Sequence, residues 1–257
     1  DWHSWRRGDE LVILAIIIAI ITLPGSAQPA HRAYLPIITL PRVLVEDARP
    51  GKPEICMAWS PGNLVDQAIA DFGAQFFYHS WSEQPSWIAR GGIPVWRSPV
   101  HAAGFLAVPQ TLRGIGYTGV VKLFNEPDLT GQDGPLTPQD AAAIYRIAKR
   151  LLPGAAFVTP NAVSREYLYE FMTAVGDDWR AGWDIVGVHG YETYQLDMWP
   201  AEWLEPVIAL ADAHGSYLWI SEVGIDSTRS IAWQRQFAEE FDTSAAQVIC
   251  WYSPHCG

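Results

Sequence analysis

Two short apolar runs in this chain of 257 residues end on a glutamate. Val120-Val121-Lys122-Leu123-Phe124 runs into Asn125-Glu126-Pro127-Asp128, and Tyr217-Leu218-Trp219-Ile220-Ser221 runs into Glu222-Val223-Gly224. Each reads as a buried strand that delivers a carboxylate to its C-terminal rim, and Pro127, with no amide proton, ends the first ladder. Two carboxyl groups brought together suit cleavage of a glycosidic bond. The glycosidic oxygen leaves poorly unless an acid protonates it. The oxocarbenium-like carbon left behind needs a second carboxylate, as nucleophile or as base. The two groups must then differ in proton affinity, which their environments set.

The elements that position such a pair follow an alternating pattern. Strands are expected at 55–59, 74–78, 93–96, 119–124, 156–159, 184–189, 217–221 and 247–251. Helices are expected at 64–72, 105–112, 138–152, 165–175, 201–213 and 230–241. Thr137 followed by Pro138 is an N-cap with proline at the first helical position. Strands that are apolar on both faces, with helices between them, belong to parallel sheets covered by helices. Eight units in about 200 residues fit a small α/β fold of the (β/α)8 TIM-barrel type, with the last helix missing after 251. A doubly wound sheet is the rival. It would carry a glycine-rich phosphate turn after its first strand, where this chain has Trp59-Ser60-Pro61-Gly62-Asn63.

Composition narrows the class. The formal charge of −11 leaves no basic footprint for a nucleic acid and disfavours an anionic lipid surface. The thirteen Trp point the same way, since each buried indole N–H needs a partner and flat rings serve as platforms for sugars, although for any single Trp the plainer reading is a place in the core. Residues 1–27 combine Arg6 and Arg7, an apolar run from Leu11 to Leu23 and small residues at Gly25 and Ala27, the pattern of a secretory signal peptide or N-terminal anchor. The run is short for a membrane span, so a membrane enters only if this segment is retained. Residues 28–53 hold five prolines and read as an extended arm. The catalytic domain is then 54–257, extracellular or held at the cell surface, and expected to act as a monomer. Cys56, Cys250 and Cys256 form neither a disulfide framework nor a zinc site. Barrel closure would bring Cys56 near Cys250, although a cysteine within a strand is most often a small buried hydrophobe.

In a barrel of this type the reactive face is the C-terminal rim of the strands. That rim would carry Trp59, His79, Trp81, Trp96, Arg97, Asn125, Glu126, Asn161, His189, Tyr191, Glu222 and Trp251. Asn-Glu ending strand 4 and Glu ending strand 7 resemble the signature of glycoside hydrolase clan A. The form Phe124-Asn125-Glu126-Pro127-Asp128, continuing into Leu129-Thr130-Gly131-Gln132, with His189-Gly190-Tyr191 on strand 6, resembles the endo-β-1,3-glucanases of family 128 and related small catalytic-core proteins. The resemblance covers about residues 54–252. It implies a retaining mechanism with Glu126 as acid/base and Glu222 as nucleophile. It also implies that Asn125 binds the sugar 2-hydroxyl, that Tyr191 orients Glu222, and that His189 lines the catalytic subsite. Trp59, Trp81, Trp96, Arg97, Asn161 and Trp251 would complete a substrate cleft. No metal or other cofactor is implied, and the partner is a polysaccharide or oligosaccharide.

The same residues have plainer readings. His189 can be a satisfied core histidine, and Arg97 can pair with a rim carboxylate instead of substrate. Asp128 and Glu192 are expected in turns or supporting contacts. A protein that only binds carbohydrate, or serves as a scaffold on an inactive barrel, would share the fold. Retention of both glutamates with their neighbours favours the enzyme.

Overall fold

The computed structural model describes residues 54–57, 76–80, 88, 92–224, 228–242 and 244–251, the first two stretches by their backbone alone. The expected signal segment, the proline-rich arm, the helix at 64–72, Trp59, Trp81, the His79 side chain and residues 252–257 lie outside the described residues.

Eight parallel strands make the sheet: β1 (Glu54–Met57), β2 (Phe76–Ser80), β3 (Gly92–Trp96), β4 (Val120–Leu123), β5 (Ala156–Val158), β6 (Ile185–His189), β7 (Tyr217–Val223) and β8 (Val248–Trp251). Strands β3 to β8, whose side chains are described, form a curled six-strand sheet. The backbones of β1 and β2 join β8 to β3, so every strand has two neighbours. A doubly wound sheet would leave two open edges. Between the strands lie α1 (Ala102–Gly114), α2 (Pro138–Leu151), α3 (Arg165–Val175), α4 (Glu192–Gln195), α5 (Pro200–Ala213) and α6 (Ile231–Asp242). Among the described residues, no helix is long and apolar enough to cross a membrane.

Local chemistry sets several of these boundaries. Thr137 Oγ1 accepts the Asp140 N–H at 3.1 Å and Pro138 opens α2, as the sequence predicts. Helix α1 begins three residues before its expected start, because Ala102 and Ala103 are strong helix formers and carry the turn across Gly104. Strand β7 runs two residues past Ser221, so Glu222 lies inside its last turn of pleat.

The position of Trp96 has a related cause and corrects an expectation. Pro109 lies within α1 and has no N–H to give the Phe105 carbonyl four residues back. The Trp96 indole N–H fills that gap at 3.0 Å, and its ring packs on Phe105 with centroids 6.0 Å apart. Trp96 is fully buried. It is a core residue that closes a helix defect, and it shows no face to the mouth.

Inside the ring, Ile93, Val120, Ala156, Val158, Ile185, Trp219, Val248 and Cys250 form one apolar cluster. Side chains two apart on a strand share a face, so Lys122 points the same way as Val120. Cys250 is fully buried and disulfide-bonded, which departs from the plain buried thiol expected of a strand cysteine. The Cα of Cys56 stands opposite it in the β1–β8 register.

The N-terminal end of β6 is fastened by one buried acid. Asp184, 0% exposed, accepts the Phe157 N–H at 2.8 Å, the Tyr145 hydroxyl at 2.5 Å and a fork from Arg180 at 2.6 and 2.8 Å. Burial and the Asp184 charge both push the Tyr145 phenol well above its ordinary range, so the hydroxyl stays a donor. Replacing Asp184 with Ala leaves the buried Phe157 N–H without its acceptor and Arg180 without its counter-charge, and equilibrium unfolding should show a loss of about 3–5 kcal/mol. The Michaelis constant of the folded fraction should stay unchanged, since this end lies opposite the site described next.

Candidate active site

Beyond Leu123 the chain leaves the β4 ladder through a kink. Phe124 and Glu126 have φ of 52° and 49°. Residues with a bulky Cβ seldom adopt this region, and each such position costs on the order of 1 kcal/mol or more. The surroundings hold both residues there. The Phe124 N–H donates to Trp96 O at 2.9 Å, the Asn125 N–H to Asp133 Oδ2 at 2.6 Å, and the Glu126 N–H to Asn161 O at 2.9 Å. Asp133, 0% exposed, gives its own N–H back to Asn125 O at 3.0 Å and takes Arg97 Nε on its other oxygen at 2.6 Å. The loop that carries Asp133 returns so closely that a Cβ on Gly134 would lie 2.1 Å from Pro127 O. Asp128 accepts the N–H groups of Val163 and Ser164 at 3.2 and 2.8 Å, tying the same loop to the start of α3.

This frame brings Glu126 beside Glu222. Both are 8% exposed. One oxygen of each carboxylate and one nitrogen of His189 all lie within 4.8 Å of one another. His189, at the end of β6, places Nδ1 3.1 Å from Glu126 Oε1 and Nε2 3.9 Å from Glu222 Oε2. The Tyr191 hydroxyl donates to Glu222 Oε1 at 2.7 Å, and its ring stands edge-on to His189. Gly187 lets β6 approach this closely: a Cβ there would meet Val158 Cγ1 at 2.2 Å.

Beneath the pair lies a cation. Lys122 is 0% exposed, with Nζ 3.1 Å from Asn125 Oδ1 and 3.2 Å from His189 Nε2. In its charged form Lys122 can only donate, so Nε2 then accepts and the His189 proton sits on Nδ1, facing Glu126. Burial pulls the Lys122 pKa from its ordinary 10.5 down to about 7. The charges of Glu222, Glu126 and Asp133 oppose that fall and Arg97 adds to it. Two carboxylates and an imidazole at this spacing are a donor set that a metal ion could use. The Lys122 ammonium already supplies the positive charge the set calls for.

The remaining expected site residues divide. Asn125 is buried with its amide oxygen on Lys122. Arg97 turns to Asp133 and so takes the ion-pair alternative. Asn161 is fully buried and spends its amide protons on Leu123 O at 3.3 Å and Thr159 O at 2.8 Å. It holds the backbone below the mouth, which corrects its assignment to substrate. Trp251 is half-buried at the end of β8, edge-on to Phe241 at 6.1 Å. Glu192 accepts from Arg165 Nε at 2.8 Å and Trp203 Nε1 at 2.9 Å, a supporting contact. Sequence reasoning missed two residues, Lys122 and Asp133. For Lys122 the signal was present, a lone charge in an apolar strand, since lysine is almost never fully buried unless paired.

The family model described as glycosyl hydrolase catalytic core matches residues 56–252. No curated protein matches the sequence. Among solved structures, the chain is similar to a GH128 (subgroup IV) endo-beta-1,3-glucanase from Lentinula edodes. The TM-score is 0.55 at 16% identity, over 77% of this chain and 82% of that one, a likeness of fold.

The lowered pKa of Lys122 carries a stability consequence of definite sign. Between pH 7 and 10.5 the unfolded lysine holds a proton that the folded one has shed, so this group makes stability rise with pH across that window. Lys122→Met removes the effect. The melting temperature of the variant minus that of the wild type should fall by roughly 5 °C or more from pH 7 to pH 9.5. Scanning calorimetry at both pH values checks it, and a constant difference would contradict the assigned proton loss.

Proposed function

Since the chain belongs to the glycosyl hydrolase catalytic core family, we propose that this glycoside hydrolase works by retention, with Glu126 as acid/base and Glu222 as nucleophile. The observation that carries the reading is the approach of the two carboxylates, with oxygens within 4.8 Å of each other. Retaining enzymes hold the carboxyl groups about 5–5.5 Å apart, whereas an inverting pair needs roughly 6.5–9.5 Å to admit a water. Tyr191 and His189 support the assignment. The Tyr191 hydroxyl at 2.7 Å fixes one oxygen of Glu222 and leaves the other to attack. The His189 Nδ1 at 3.1 Å holds one oxygen of Glu126 and leaves the other to carry the transferred proton.

In the first half-reaction a Glu222 oxygen bonds to the anomeric carbon as the bond from that carbon to the leaving sugar breaks. The Glu126 proton passes to the departing oxygen. In the second, a water oxygen bonds to the same carbon, its proton goes to Glu126, and the ester to Glu222 breaks. Two inversions give retention.

The substrate we infer is a β-linked glucan, with internal β-1,3 bonds first among the candidates. That choice rests on the motif resemblance and on the kind of enzyme found among the fold neighbours. We take the fold as a small (β/α)8 barrel over 54–257, monomeric and exported through the N-terminal segment. The supporting features are the strand ring and the basic-apolar-small pattern of 1–27.

Reducing-sugar release from a panel of β-glucans tests the substrate. The glutamates are told apart with an activated aryl β-glucoside and azide. Glu222→Ala should lose turnover on every substrate by about 10⁴-fold or more, while Glu126→Ala should lose far less on the aryl glycoside than on polymer. Azide should rescue Glu126→Ala to the retained glycosyl azide and Glu222→Ala to the inverted one. The reverse pattern would mean the roles are exchanged.

A further inference from the structure

Lys122 is the one member of the cluster to which the two-carboxylate mechanism gives no task. Its side chain enters from β4 into the apolar interior of the ring. It is in contact with Asn125 and with the ring nitrogen of His189 that does not face Glu126. Among the described residues, the charges around it come from four directions. Glu126 lies beyond the end of its own strand, Glu222 is on β7, Asp133 is on the loop after β4, and Arg97 follows β3. Arg97 and Asp133 are joined to each other at 2.6 Å and cancel. Among the described residues, Lys122 is then the positive charge that faces Glu126 and Glu222, with the His189 ring between.

We propose that Lys122 is a positioning residue: through His189 it fixes the ring with its proton toward Glu126, and its charge keeps one of the two glutamates ionised through both half-reactions. This rests on the acid/base and nucleophile reading above. The charge balance is stepwise. Before glycosyl transfer Glu222 is anionic, Glu126 holds the proton and Lys122 is cationic. After it Glu222 is a neutral ester, Glu126 is anionic and Lys122 is still cationic. The buried group is neutral at both stages, and one negative charge moves from one carboxyl to the other past the same ammonium. Without that ammonium the anion would lose this compensation in a site where each glutamate is nearly sealed from water, and burial would then favour the protonated, neutral carboxyl. With it, the proton that Glu126 must give and regain is the only one that moves.

A purely structural lysine, holding Asn125 by a hydrogen bond, would leave a different trace. Lys122→Gln keeps a donor of similar reach without the charge, and Lys122→Met keeps neither. The charge role makes the two variants alike. Each should lose at least about 100-fold in kcat/KM at pH 6 on a β-1,3-glucan, with the acidic limb of the profile displaced upward by about one pH unit or more. A Lys122→Gln enzyme with the wild-type profile would overturn the proposal.

Two readouts stand apart from substrate identity. Carbon-13 NMR of the glutamate carboxyls should show a midpoint displaced upward by a similar amount in Lys122→Gln relative to wild type, whether or not any glucan is cut. An unchanged midpoint would overturn the coupling. A wild type that cuts no glucan but shows the displacement would instead defeat the functional reading and leave the coupling standing. If neither variant folds, nitrogen-15 NMR of the wild type decides: the Lys122 amine should titrate within about one pH unit of the alkaline limb of kcat/KM, and separation by two units or more would overturn it.

Discussion

At the end of β4 the backbone turns through two positive φ angles, at Phe124 and Glu126, with Asn125 between them. A regular strand would throw Asn125 and Glu126 to opposite faces. The kink lets Asn125 turn down to Lys122 while Glu126 turns toward Glu222 and His189. Strain of this kind persists only where the surroundings over-determine it. Here three consecutive N–H groups each find a fixed acceptor on a different segment: Trp96 O on β3, Asp133 on the return loop, and Asn161 O after β5. Those acceptors are themselves tied down. Trp96 is locked by the carbonyl that Pro109 leaves free, Asp133 by Arg97, and Asn161 by its amide bonds to Leu123 and Thr159.

The interior beneath the kink carries a second constraint, of charge. A sealed ammonium below two nearly sealed carboxylates is costly, and burial accordingly pulls the Lys122 pKa down to about 7. Ion pairs of this type seldom stabilise a protein over a well-packed apolar core. The opposite end of the barrel shows the contrast. Asp184 there gathers Arg180, Tyr145 and a backbone N–H, and every partner is satisfied without any group that must change protonation. One end of the barrel spends its buried charges on rigidity, and the other holds them ready to shift.

Much of this could be read from residue order. Strand-ending glutamates, the repeat of apolar runs and helices, and the Thr137–Pro138 cap are local signals, and the elements fall close to where they predict. The two glutamates with His189 and Tyr191 also lie together, because strand ends on one rim of a curled parallel sheet converge whatever the loops do. Loop and packing detail was not legible in the same way. Trp96 reads as a rim aromatic until Pro109, thirteen residues on, is seen to leave the Phe105 carbonyl in need of its N–H. Asn161 reads as a sugar ligand until its amide is found bonded to two carbonyls. Asp133 sits in a polar loop with nothing to mark it, since its importance comes from a return path set by Gly134 and Pro127. Lys122 was visible as a charge in an apolar strand, but its meaning depends on three other strands.

The account turns on a covalent bond between the sugar and Glu222. Peptide mapping by mass spectrometry, after incubating the enzyme with a 2-deoxy-2-fluoro-β-glucosyl or β-1,3-linked glucobiosyl fluoride, tests it directly. The fluorine at C2 slows both half-reactions while fluoride departs without needing an acid, so the ester should accumulate. The account predicts one added fluorosugar on the peptide that contains Glu222. A label on Glu126, or steady release of inverted product with no label at all, would contradict it.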